Sequence, residues 1–154
     1  MLTDGIDHVA LSTADLDGFI EFFVANFDAT EDRRVVVDDT QTMSVVRIGP
    51  HTECNVFGPP TPGRAPWTLE RGRLDHFGVR AANLEAFEEI RRRLVDAGVT
   101  DGYVSDFGPT YSMFFRGPDG LEGEVLVANP TPRYAHSGPL RRRSALVQRR
   151  ASPV

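Results

Sequence analysis

Ile6-Asp7-His8-Val9-Ala10-Leu11-Ser12-Thr13-Ala14-Asp15-Leu16-Asp17 returns further along the chain as Leu74-Asp75-His76-Phe77-Gly78-Val79-Arg80-Ala81-Ala82-Asn83-Leu84-Glu85, at a constant offset (76 − 8 = 82 − 14 = 68). A repeat of that length marks a duplicated structural module. Each copy opens on an alternating, largely apolar run that suits a strand and then changes to helical spacing. Each also carries an Asp-His at its opening, so two copies packed as a pair would bring His8 and His76 to one site, which is how a small protein assembles a metal centre.

Outward from the repeat, the first module reads as a strand over 5–12 and a helix over 13–26, with Leu16, Phe19, Ile20 and Phe23 on one face and Asp15 or Thr13 as its cap. Three short strands follow at 35–38, 42–48 and 53–57. The Pro/Gly-rich segment 58–66 sustains neither helix nor central strand and reads as a linker. The second module repeats the order: a strand over 73–80, a helix over 83–97 with Leu84, Phe87, Ile90 and Leu94 on one face and Gly98 as its stop, then strands at 103–107, 112–116 and 122–127. The last two are joined by a Gly117-Pro118-Asp119-Gly120 turn. The expected fold class is α+β: two βαβββ modules, about 5–58 and 73–129, forming a curved mixed sheet around a shared cavity.

The final hairpins of the modules align without a gap, from Arg47 on Arg116 to Val56 on Val125, at an offset of 69 (116 − 47 = 125 − 56 = 69). Asn55 then stands opposite Glu124, and Glu53 opposite Glu122. Residues two apart on a strand share a face, so Glu53 stays open as an alternative to Asn55.

Composition narrows the class. A chain of 154 residues, 40% hydrophobic, is long enough for one domain with a real core. No apolar run spans a bilayer, and Met1-Leu2-Thr3-Asp4-Gly5 has none of the regions of a signal peptide. With a single cysteine, Cys54, expected to pack inside, the reading is cytoplasmic, without membrane contact. All 17 basic residues are arginine, which excludes lysine Schiff-base chemistry. The net charge of −5 is unevenly spread: 11 arginines and 22 acids precede position 131 (11 − 22 = −11), and six arginines follow with no acid (+6). The acidic body argues against nucleic-acid binding. Residues 133–154 read as a solvated, disordered basic tail outside a single domain of 1–132.

With the modules in view, the chain resembles the vicinal oxygen chelate superfamily: glyoxalase I, methylmalonyl-CoA epimerase, extradiol dioxygenases, and fosfomycin or bleomycin resistance proteins. The resemblance covers about residues 5–129, and its most specific piece is Phe115-Arg116-Gly117-Pro118-Asp119-Gly120 followed by Glu124. In metal-binding members, the opening-strand and last-strand residues of each module supply the ligands. Carried over by position, these are His8, Asn55, His76 and Glu124. Similar glyoxalases and epimerases place glutamate or glutamine where this chain has Asn55. Two imidazoles and one carboxylate suit one divalent ion of Fe, Mn, Co, Ni or Zn, with positions left for a substrate that chelates through two adjacent oxygens.

The resemblance implies a metal-dependent enzyme acting on a small metabolite by proton transfer, as a lyase or isomerase. Glu124 is the expected base and Glu53 the second candidate. Tyr111, Ser112, Met113 and Phe115 lie on or beside the strand expected to floor the cavity, and Tyr111, Met113 and Phe115, with Trp67 after the linker, are the candidate substrate pocket. An extradiol dioxygenase is the rival enzyme, although this chain has Asp106-Phe107-Gly108 where small similar proteins of that kind often have Asp-His-Gly. A metal-free antibiotic-binding protein is the third reading, and the retention of His8, His76 and Glu124 counts against it. His51 and His136, in a turn and in the tail, are read as solvated. A homodimer is expected, because curved sheets expose edges that need cover.

Overall fold

The computed structural model describes residues 7–58 and 76–132. Trp67, most of the linker and the basic tail lie outside the described residues. The chain divides into two compact units, Met1–Ala65 and Pro66–Val154. The first holds β1 (His8–Ser12), α1 (Leu16–Phe27), β2 (Thr30–Val36), β3 (Thr42–Arg47) and β4 (Glu53–Gly58). The second holds β5 (Phe77–Arg80), α2 (Leu84–Asp96), β6 (Ser105–Asp106), β7 (Thr110–Arg116) and β8 (Glu122–Ala128). Both are βαβββ modules, and each forms its own four-stranded mixed sheet, ordered β1-β4-β3-β2 and β5-β8-β7-β6. The α+β two-module class is therefore as the repeat implied.

In each sheet the opening strand runs parallel to the closing one, and the other pairings are antiparallel. Parallel neighbours need a crossover, and the helix after the first strand supplies it. The same backbone bond ends that pairing in both copies: Thr13 N–H donates to Phe57 O at 2.9 Å, and Ala81 N–H to Leu126 O at 2.8 Å (13 + 68 = 81; 57 + 69 = 126).

Both helices start where side-chain oxygens meet the otherwise unpaired first-turn amides. Asp15 accepts from Gly18 N–H at 3.0 Å, and Asn83 from Ala86 N–H at 2.9 Å. Gly98, at φ +70°, ends α2, with Gly98 N–H donating to Val95 O and Val99 N–H to Leu94 O. The apolar stripe of α1 buries Leu16, Phe19, Ile20 and Phe23, with the Phe19 and Phe23 rings 4.8 Å apart. Its seat is the face of the sheet that carries Val46, Cys54, Val56 and Gly58. A methyl added to Gly58 would meet Leu16 Cβ at 2.7 Å, so that close approach needs glycine. In the second unit, α2 buries Phe87 and Leu94, and its complement is the apolar sheet face of Met113, Phe115, Val125 and Val127.

Three segments depart from the sequence reading. The strand expected at 35–38 lies at Thr30–Val36. Thr30 to Arg34 carry charge on both faces, so no apolar alternation betrays them; ion pairs hold them instead. Arg34 bonds Glu31 at 2.6 Å and Asp17 of α1 at 2.8 Å, and Ser44 Oγ donates to Glu31 at 2.6 Å. These partners hold the Glu31 carboxyl below its usual range, Arg34 first and Ser44 second. A bulge falls between Glu31 and Arg33. The strand expected at 103–107 keeps only Ser105 and Asp106 in the ladder, between the positive-φ turns of Gly102 and Gly108. Leu84, read on the apolar face of the helix with Phe87 and Leu94, opens α2 and is exposed.

Candidate functional site

Side chains alternate across a strand, so the register decides which residues share a face. In the second unit Phe114 stands opposite Glu124, Arg116 opposite Glu122, and Gly78 opposite Glu124 on the other side. Glu122, Glu124, Ser112, Phe114 and Arg116 therefore share one face, and His76, immediately before β5, joins them. His76 Nε2 approaches Glu124 Oε2 to 3.4 Å. Glu124 is 8% exposed and Ser112 is fully buried. Ser112 Oγ donates a hydrogen bond to the other carboxylate oxygen, Oε1. The His76 ring stands edge-on to Phe114, centroids 5.4 Å apart.

The donor chemistry of this pair fits a divalent ion. An imidazole nitrogen and a carboxylate oxygen each about 2.1 Å from one tetrahedral ion would be about 3.4 Å apart, which is the separation of Nε2 and Oε2. A ligating carboxylate held through its second oxygen is likewise ordinary for metal sites. Among the described residues, no group of three or more His, Cys, Asp or Glu side chains is gathered as a metal site. What the second unit offers by itself is the pair.

The first unit repeats the frame with different chemistry. His8 stands opposite Glu53, and Ala10 opposite Asn55, so His8, Glu53 and Asn55 share a face. Ala10 with Asn55 corresponds to Gly78 with Glu124 (10 + 68 = 78; 55 + 69 = 124), so strand pairing independently equates Asn55 with Glu124. His8 Nδ1 lies 2.8 Å from the Asp7 carboxylate. Glu53 is engaged elsewhere: Arg47 Nη2 lies 3.0 Å from its Oε1, and Arg47 also bonds Asp32. The same cross-strand brace recurs as Arg116 Nη2 to Glu122 Oε1 at 2.5 Å (47 + 69 = 116; 53 + 69 = 122). Glu53 thus belongs with Glu122 in a duplicated ion pair.

Of the expected pocket residues, Tyr111, Met113 and Phe115 alternate onto the face opposite Glu124. Met113 and Phe115 are fully buried there. The strand residues that reach the site face are Ser112, which the sequence reading had put on the cavity floor, and Phe114, which it had not. The signal was available: the Gly117-Pro118-Asp119-Gly120 turn pairs Arg116 with Glu122, and counting back two residues puts Phe114 opposite Glu124. Cys54 faces the core of its module, and burial pushes its thiol up to about 11, which removes it as a nucleophile.

The comparisons with known proteins agree with this architecture. A glyoxylase/bleomycin resistance protein/dioxygenase domain from Frankia sp. EAN1pec superposes with a TM-score of 0.73 at 20% identity, over 83% of this chain and 94% of that one. A genomically encoded fosfomycin resistance protein from Listeria monocytogenes, complexed with Mn(II) and sulfate, superposes at 0.60 and 17% identity, over 84% and 96%. The trypanothione-dependent glyoxalase I of Leishmania major does so at 0.60 and 19%, over 81% and 87%. No curated protein sequence matches. The sequence model of one family spans residues 5–125, and the chain accordingly belongs to the Glyoxalase/Bleomycin resistance protein/Dioxygenase superfamily.

Proposed function

We propose that this chain is a divalent-metal-dependent enzyme that moves a proton beside a carbonyl of a small oxygen-chelating metabolite, as a lyase or isomerase of the glyoxalase or epimerase kind. His8 and Asn55 of the first module, with His76 and Glu124 of the second, are the residues that would hold the ion. When bound, an ion of the Fe, Mn, Co, Ni or Zn class supplies Lewis-acid polarisation of the substrate carbonyl. The chain's own contribution is proton handling: Glu124 takes the proton from the adjacent carbon and returns it at the neighbouring position. Phe114, opposite Glu124, offers an apolar wall that limits water at that carboxylate. Glu53 braces the first module through Arg47 and is not the base in this reading. The Mn(II) complex of the fosfomycin resistance protein and the glyoxalase I relative lend support from the same superfamily.

The observation that carries the proposal is the approach of His76 Nε2 to Glu124 Oε2 at 3.4 Å. Elemental analysis of wild type and His76→Ala, each purified with supplements of the five metals in turn, tests it. About one ion per chain is expected in wild type and its loss in the variant. Wild type without metal under every supplement would refute the proposal. Solvent-deuterium incorporation into substrate, without oxygen consumption, is then the signature that separates proton transfer from dioxygenase chemistry.

A further inference from the structure

We propose that Ser112 is a positioning residue that commits Glu124 to act through one oxygen; the inference rests on the metal-ligand reading of Glu124. The two oxygens of this carboxylate have different partners: Oε1 accepts from Ser112 Oγ, while Oε2 is the one beside His76 Nε2. Ser112 is fully buried and Glu124 nearly so, so water has little access to replace that hydrogen bond. A hydroxyl in a sheet has strand carbonyls within reach as acceptors; this one is turned to the carboxylate instead. With Oε1 so held, the carboxylate cannot swing to present both oxygens, and Oε2 keeps its place facing the imidazole.

The first module provides an internal control. Met43 occupies the register position of Ser112, since Met43 pairs with Phe57 as Ser112 pairs with Leu126 (43 + 69 = 112; 57 + 69 = 126). Where the carboxylate has become the amide of Asn55, the hydroxyl has become a thioether, which has no proton to donate. Hydroxyl and carboxylate are present together in one copy and absent together in the other. A serine kept for sheet packing alone would have no reason to follow the identity of its diagonal neighbour.

Mn(II) titration of wild type, Ser112→Ala and Ser112→Thr, with free Mn(II) read by electron paramagnetic resonance and the thermal midpoint of each metal-free protein measured alongside, tests the proposal. Ser112→Ala should bind Mn(II) about 10–100-fold more weakly at temperatures well below its midpoint, the usual cost of removing a group that orients a ligand. Ser112→Thr, which keeps the hydroxyl, should restore affinity close to wild type. A merely structural serine would lower the midpoint and leave Mn(II) affinity unchanged, which overturns the proposal, as does a threonine variant as weak as alanine. If Ser112→Ala fails to fold, Ser112→Cys replaces it, and its weaker donor should give intermediate affinity; affinity equal to wild type overturns the proposal. Where wild type takes up another of the five metals instead, that ion replaces Mn(II) in the titration; wild type that binds none of them overturns the metal reading and this inference with it, whereas wild type and Ser112→Ala binding alike overturns this inference alone.

Discussion

Gly123→Ala tests the face assignment on which the site depends. Gly123 lies on β8 between Glu122 and Glu124, and an added methyl would sit 2.2, 2.5 and 2.9 Å from Cζ, Cε1 and Cε2 of Phe115. Phe115 is fully buried and packed edge-on against Phe77, so its ring cannot rotate away into solvent. Restoring ordinary contact requires a shift of more than about 1 Å in a close-packed interior, which places the cost near the upper end of overpacking, about 3 kcal/mol. At about 2–4 °C per kcal/mol for a chain of this size, the thermal midpoint should fall by about 6–12 °C. Calorimetry or circular dichroism reads the change. Gly78→Ala is the control, because its methyl on the other face crowds the flexible end of Leu126 at 2.7 Å and otherwise meets only Glu124 Oε2 at an ordinary 3.8 Å, and it should move the midpoint far less. Phe115→Leu in the Gly123→Ala background should recover part of the loss, since the two changes compete for one space and are not additive. A midpoint for Gly123→Ala within about 1 °C of wild type, well inside the predicted fall, would mean that Phe115 does not occupy this face. The placement of Glu124 opposite it would fall too.

Three further outcomes are expected. Asn83→Ala should cost about 1 kcal/mol in urea unfolding by leaving the Ala86 amide uncapped, while Asn83→Asp retains the cap; equal midpoints for alanine and wild type would contradict the capping role. The folded state holds the Cys54 proton more tightly than the unfolded chain, because burial raises the thiol from 9.0 to about 11. That stabilisation is complete below about pH 9 and fades as pH climbs toward 11, so the urea midpoint of wild type should decline relative to Cys54→Ala between pH 8 and 10.5; parallel profiles would refute it. On the proposed ligand set, Asn55→Glu should tighten Mn(II) binding by about tenfold through an added anionic oxygen, and adding Met43→Ser should tighten it further; no gain from either would remove Asn55 from that set.

Much of this architecture was legible because duplication repeats a signal that is weak in a single copy. The Asp-His openings located both first strands, Asp15 and Asn83 marked both helix starts, and one turn before Glu122 set the last hairpin's register. The second strand of the first module was not legible. Thr30-Glu31-Asp32-Arg33-Arg34 belongs to a strand because Asp17, Ser44 and Arg47 lie across from it, and those partners are distant in sequence. In the candidate site, the repeat and the last hairpin pointed to His76 and Glu124, while Ser112 was read only as part of the cavity floor and not as a partner of Glu124. A serine among Tyr111, Met113, Phe114 and Phe115 looks like filler until the pleat separates odd from even positions. Glu53 shows the reverse: its chemistry suits a base, and the pairing with Arg47, six residues earlier, engages its charge within the first unit.

The bulge at Asp32 bears on how the protein behaves when crowded. β2 ends the order of its sheet, and an unpaired sheet margin is a template on which another chain can add a strand. A flat, regular β2 would offer that template along its full length. The bulge breaks the spacing of its amides near the start, and the guanidinium groups of Arg33 and Arg34 would have to be desolvated by any incoming strand. What remains is Val35-Val36-Val37, exposed and apolar but only half the length of the six- or seven-residue segments that nucleate cross-β assembly. The charges that hid this strand from a hydropathy reading are the ones that keep it from recruiting copies of itself.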